Sequence, residues 1–189
     1  MSNASLPGIG HNQGPSMDPG LRWRIHSWTR AKAQHPEARL PVAVVRMRIA
    51  RAKELGLSYA DYAALRRSAG RDVAGYLLSS NALGVLKPGQ AASNAVRERL
   101  EGLRHVRRIG LAHAPLSPEA LLEQVGALDE VWPAPPLLAT FARQRAVLAR
   151  AQGRLPAAGL IAVTALALES DWLAAGRLGG ILPAAALFG

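Results

Sequence analysis

The sequence predicts a mainly α-helical protein: a basic helical unit comes first, then an α-rich region with room for a two-stranded parallel sheet. Three observations predict it. Apolar residues make up 49% of the chain but aromatics only 5%, so the core must be built from Ala, Leu, Val and Ile, which suits closely packed helices. Helix start and stop signals recur along the chain. Apolar residues also return at steps of three and four between positions 42 and 65.

Taken in order, residues 1–17 hold Gly, Pro, Asn and Ser with little to bury, and are expected to form a disordered tail. The run GIGHNQG has the spacing GxGxxxG with no strand before it, so it is not a dinucleotide-binding loop. Asp18-Pro19 starts a helix that runs to about Gln34, with Trp23 and Trp28 available to anchor its inner side. Pro41 opens the next helix, whose apolar stripe is Val42, Val45, Ile49, Ala52 and Leu55. Gly56 supplies its left-handed cap. Ser58 starts a third helix with Asp61 three residues on, its stripe is Tyr59, Tyr62 and Leu65, and Gly70 ends it. Asp72 is read as the cap of a fourth short helix through Val73, Tyr76 and Leu77 to Leu83.

Residues 84–90, GVLKPGQ, read as a linker. They divide a basic helical unit, 18–84, from an α-rich C-terminal unit, 91–189. The second unit begins with a helix over 91–107. Ser117-Pro118-Glu119 then opens a helix to about Val131, WPAPP breaks it, and Leu137 to Gln152 form another. A last helix spans Leu166 to Arg177. The apolar runs at 109–114 and 159–165 fit either short strands or buried helix, which periodicity alone does not separate. As strands they would pair in parallel through a right-handed crossover.

The chain has no cysteine, which excludes disulfides, zinc–thiolate sites and thiol nucleophiles and fits a reducing compartment. The first twenty residues lack the basic-then-apolar pattern of a signal peptide. The most apolar stretch, near 155–176, is interrupted by Glu169 and Asp171, so no membrane span is expected. The expectation is a cytoplasmic protein. Net charge is +10, unevenly placed: residues 1–110 carry 18 Lys/Arg against 7 Asp/Glu, and residues 111–189 carry 5 against 6. A basic half beside a near-neutral half points to a polyanionic partner on one side.

The stretch Arg48 to Arg67 places Ala52 at a small position inside one helix, Gly56 four residues on at the turn, and Leu55, Leu57, Tyr62 and Leu65 at packing positions. In this it resembles the helix-turn-helix family of DNA-binding proteins. The resemblance implies that Ser58 to Arg67 is a recognition helix, with Ser58 and Tyr59 toward the groove. Arg51 stands where that family has an apolar residue, and Ser58, Tyr59, Ala60, Asp61, Ala63 and Ala64 include no Arg, Lys, Gln or Asn to read a base edge. Binding would therefore rest on phosphate contacts from Arg46, Arg48, Lys53, Arg66, Arg67 and Arg71, with DNA favoured over RNA. Separately, Ile9 to Pro15, IGHNQGP, resembles the N-terminal tails of uncharacterised phage-related bacterial proteins, which implies no activity.

Catalytic signals are sparse. None of the five histidines, His11, His26, His35, His105 and His113, has a second histidine or a carboxylate at metal-binding spacing. His113 ends one apolar run, while Glu169 and Asp171 follow the other. His113 and Glu169 are expected to meet only if those two runs are neighbouring strands. No catalytic residue, metal ligand or cofactor is assigned. The leading expectation is a nucleic-acid-binding protein, possibly a small regulator. The alternatives are a non-catalytic interaction module whose Ala/Leu-rich half holds a partner or a second copy, and, behind it, an enzyme built on the strand pair.

Overall fold

The segment Gly75–Ser79, GYLLS, is buried at all five positions and is a strand, β1, rather than part of a helix capped by Asp72. A strand covered on both faces has no polar side, so it shows an unbroken apolar run in place of alternation. The same holds for Leu160–Thr164, β4, and for the inner four residues of Arg107–Ala112, β2. Two shorter strands, Glu130–Pro133 (β3) and Gly180–Pro183 (β5), complete one all-parallel sheet in the order β3-β2-β1-β4-β5.

The computed structural model describes residues 40–189. The expected tail at 1–17 and the helix at 19–34 lie outside them. The described chain is an α/β fold, which overturns the mainly α expectation. The two anticipated strands exist as β2 and β4, yet they do not pair with each other, because β1 lies between them. Residues 84–90, read as a linker, connect β1 to the next helix within this one sheet.

Seven helices flank the sheet among the described residues: α1 (Val42–Glu54), α2 (Tyr59–Ala69), α3 (Asn94–Gly102), α4 (Pro118–Val125), α5 (Phe141–Gln152), α6 (Trp172–Gly176) and α7 (Ala184–Phe188). Ser58, Ser93, Ser117 and Thr140 each accept a hydrogen bond from a first-turn amide and so fix where α2 to α5 begin. The helices divide by strand order. From β1 the chain steps outward to β2 and β3, with α3 and α4 on one face. It then returns across the sheet to β4 and β5, with α5 and α6 on the other face. Right-handed crossovers require this change of face when the direction reverses.

Two apolar layers result. On the first face α1, α2, α3, α4 and α7 pack Leu55, Tyr62, Leu65, Leu100, Leu121 and Leu187 against Tyr76, Leu78, Ile161 and Val163. On the second, Leu148, Trp172 and Ala175 pack against Leu77, Ile109, Leu111, Leu160 and Ala162. The α1 stripe is shorter than its spacing implies. Ala52 is buried, whereas Val42 and Ile49 are 67% and 50% exposed. No helix among the described residues is long and apolar enough to cross a membrane.

Close approach of backbones sets a strict demand at Gly179, whose amide bonds to Leu160 O at 2.9 Å at the entry to β5. A Cβ there would overlap the Ala158 carbonyl oxygen and lie 2.9 Å from Ala69 Cβ. Gly102, at the end of α3, has open space around it. Gly179→Ala is expected to destabilise by about 3 kcal/mol and lower Tm by roughly 10 °C. Gly102→Ala is expected to be neutral or stabilising by up to about 1 kcal/mol. Thermal and urea unfolding of the two variants beside the parent checks both.

Candidate functional site

In an open parallel sheet, ligands bind beyond the carboxyl ends of the strands, where the strand order reverses. Here that point is the β1/β4 boundary. Five chemically capable side chains gather there: Ser79, the last residue of β1; Ser80 and Asn81 just after it; His113, one residue past β2; and Glu169, in the short 3-10 turn Ala167–Asp171 after β4. Chain turns bring them together. Leu83 N bonds to Ser79 O at 3.0 Å and Val85 N to Ser80 O at 2.9 Å, which folds Asn81 back over the strand end.

Glu169 is the hub. Its side chain is fully buried. Oε1 accepts from Ser79 Oγ in a short hydrogen bond, from Asn81 Nδ2 at 2.9 Å and from His113 Nε2 at 2.9 Å. Oε2 accepts the amides of Ala165 at 2.9 Å and Leu166 at 3.1 Å. Burial alone would raise this carboxyl's pKa. The donors from His113, Ser79 and Asn81 and the Leu166 amide outweigh burial and hold it at about 2. An ionised carboxylate only accepts, so His113 Nε2 must carry a proton in this bond.

The remaining contacts lock the same groups. The His113 amide donates to Ser80 Oγ at 3.2 Å, and the Asn81 amide donates to Ser79 Oγ at 3.2 Å. The His113 ring stacks on Trp172 with centroids 5.7 Å apart and 18° between planes. Trp172 is itself buried at the start of α6.

His113 and Glu169 therefore meet although β2 and β4 are not neighbours. The expectation that contact requires adjacent strands is corrected: two strand spacings are roughly 10 Å, and a histidine and a glutamate reach across them over the short Ser79 side chain. The sequence does not single out Ser79 and Asn81. Their signal is a Ser-Ser-Asn run at the end of an apolar segment, but that segment reads as helix.

The chemistry of this cluster is cohesive. Glu169 sits between Ser79 and His113, so Ser79 Oγ points its proton at the carboxylate and not at an imidazole base, unlike a Ser–His–acid relay. A carboxylate with five donors and a pKa of about 2 is a poor general base near neutral pH. Among the described residues no group of three or more His, Cys, Asp or Glu could hold a metal ion.

The nucleic-acid set lies elsewhere. Gly56, at φ 68°, joins α1 to α2 in a true helix–glycine–helix, and Ala52 is buried at its small position. Ser58 is occupied as the cap: its Oγ accepts the Asp61 amide at 3.1 Å and donates to Asp61 Oδ2 at 2.6 Å. Tyr59 is half-buried. Arg66 lies 3.5 Å from Tyr62 Oη and 3.8 Å from Asp72 Oδ1. Arg48 and Arg67 each have an interaction partner. Arg46, Lys53 and Arg71 are exposed.

Arg51 explains its own departure from the helix-turn-helix pattern. Its guanidinium bonds to Asp72 Oδ2 at 2.9 Å, Glu54 Oε2 at 2.8 Å, Val73 O at 3.0 Å and His105 O at 3.1 Å. It ties α1 to the segments entering β1 and β2. Asp72 also accepts from Tyr62 Oη at 3.0 Å. Burial opposes its ionisation, but Arg51 and Tyr62 hold its carboxyl below the usual range. The α1–α2 hairpin is thus bolted to a sheet, with Ala60, Ala64, Arg67 and Ser68 on the exposed side of α2.

The depressed Glu169 pKa has a definite linkage sign. A carboxyl whose folded pKa lies below its unfolded value adds stability above the unfolded value, and that stability is lost as pH falls through the folded one. The parent is expected to lose on the order of 3 kcal/mol from this group between pH about 4.5 and about 2. Glu169→Gln should lack that component and be about 3 kcal/mol less stable at pH 7. Urea midpoints of parent and variant across this range give the difference directly.

No family model, curated protein or solved structure matches this chain.

Proposed function

We propose that this chain is a cytoplasmic, non-enzymatic nucleic-acid-binding protein that grips the phosphate backbone with little base readout. The observation that carries this reading is the surplus of cations on its surface. Residues 40–189 hold 18 Lys/Arg against 11 Asp/Glu, and one of those acids, Glu169, is sealed inside. Arg46, Lys53 and Arg71, at or beside α1 and α2, stand exposed with no carboxylate of the described residues within ion-pair distance. Such groups replace condensed counterions along a duplex. Before Arg67, near its C-terminal end, the exposed side of α2 offers the small residues Ala60 and Ala64 rather than base-reading amides or guanidiniums, which supports contacts to phosphate over contacts to base edges. The non-enzymatic part of the reading is supported by the saturated state of Glu169.

Fluorescence anisotropy with a labelled duplex, titrated against salt, tests the reading. Binding is expected at roughly 50 mM salt and should weaken steeply as salt rises. Arg46→Ala and Arg71→Ala should each lower the log–log salt slope by about 1 and weaken unrelated sequences alike. Absence of binding to any duplex at roughly 50 mM salt overturns it.

A further inference from the structure

From the groove between α5 and α6 we infer a phosphoryl-binding site, on the face of the sheet opposite α1 and α2. The groove, about 350 Å³, is lined by Arg145, Ala149, Gln152, Ala157, Ala175, Gly176 and Arg177. Apart from the two arginines and Gln152, its lining residues are small, Ala149, Ala157, Ala175 and Gly176. Arg145 and Arg177 bring in cations, and no carboxylate lines it.

The surroundings have the same sign. Between Glu130 and Glu169 the chain has no Asp or Glu at all, while it carries Arg143, Arg145, Arg150 and Arg154. Glu169 faces into the sheet and is fully buried. Asp171 lies at the opposite end of α6 from the groove. The near-neutral sum of the C-terminal half therefore conceals a stretch of unopposed positive charge, because its acids sit in two short clusters outside that stretch.

Two structural details present these guanidiniums. Arg145 stacks over the Phe141 ring at 5.2 Å and directs Nε toward the Ala175 carbonyl at 3.4 Å. That uses one of its five N–H donors and leaves the terminal fork for an anion. Arg177 holds φ 52° at the C-cap of α6, a left-handed conformation that favours glycine. Arginine there gives up some stability and gains a cation at the groove mouth.

The phosphoryl group can come from a nucleic-acid backbone or from a small phosphorylated molecule, and the test separates them. Calorimetry with inorganic tripolyphosphate at roughly 50 mM salt is expected to show binding to the full chain with Kd below about 1 mM. Arg145→Ala combined with Arg177→Gly should weaken it at least about tenfold, while thermal stability is kept or raised, since glycine suits the left-handed cap. Lys87→Ala, which removes an exposed cation outside the groove, should leave it within about twofold. No binding by the parent, or equal binding by the groove variant, overturns the site. Displacement of tripolyphosphate by an unlabelled duplex assigns the groove to the nucleic-acid reading. Failure to displace, with the groove variant still defective, assigns it to a small phosphorylated ligand and overturns that link alone.

Discussion

One buried carboxylate organises the carboxyl edge of this sheet. Glu169 arrives from the turn after β4 and receives donors from the end of β1, from the residue after β2 and from its own turn backbone. A buried charge is tolerable only when its lone pairs are filled. Five donors fill them here, and each donor is thereby fixed as well. Through Trp172, which stacks on His113, the same cluster sets the start of α6 and hence one wall of the Arg145/Arg177 groove.

The amino edge has its own polar bolt. Arg51 joins α1 to Asp72, Val73 and the carbonyls of residues 104 and 105, and Arg108 pairs with Asp129 at 2.7 Å beside β3. His105 is held at φ 53° next to these bonds. Polar ties at both ends and apolar layers on both faces leave the α1–α2 hairpin little freedom to act as a detached DNA-reading unit. Under the proposed nucleic-acid reading its contribution would be electrostatic and would come from the cations left over after Arg51 and Arg66 are engaged.

How much of this was legible in the sequence depends on what each residue signals locally. Caps and breaks were clear: Ser58, Gly70, Ser117 and Gly153 mark helix boundaries as expected, because their side chains or left-handed backbones act within a few residues. The runs that became β2 and β4 were visible as apolar segments. Strand β1 was not, since Asp72 resembles a helix cap while in fact it bonds across space to Arg51 and Tyr62. The four-residue strands β3 and β5 carry Pro or Gly and too few residues to show a pattern. With β1 misread, the centre of the sheet vanished, and with it the reason for Ser79 and Asn81 to stand beside Glu169. Of the site, His113 and Glu169 were singled out from their places after apolar runs, but their partners follow only from strand order. The α5–α6 groove was hidden by summing charge over half the chain.

The resulting protein places its most reactive-looking residues where their reactivity is suppressed and its cations where solvent and anions reach them. Glu169 is a tie that stays ionised near neutral pH. A ¹³C NMR titration of its side-chain carboxyl tests this most directly. The expected result is a midpoint at about 2, well below the ordinary glutamate value of 4.5. A midpoint above that ordinary value would contradict the account and return the cluster to candidacy as a catalytic centre.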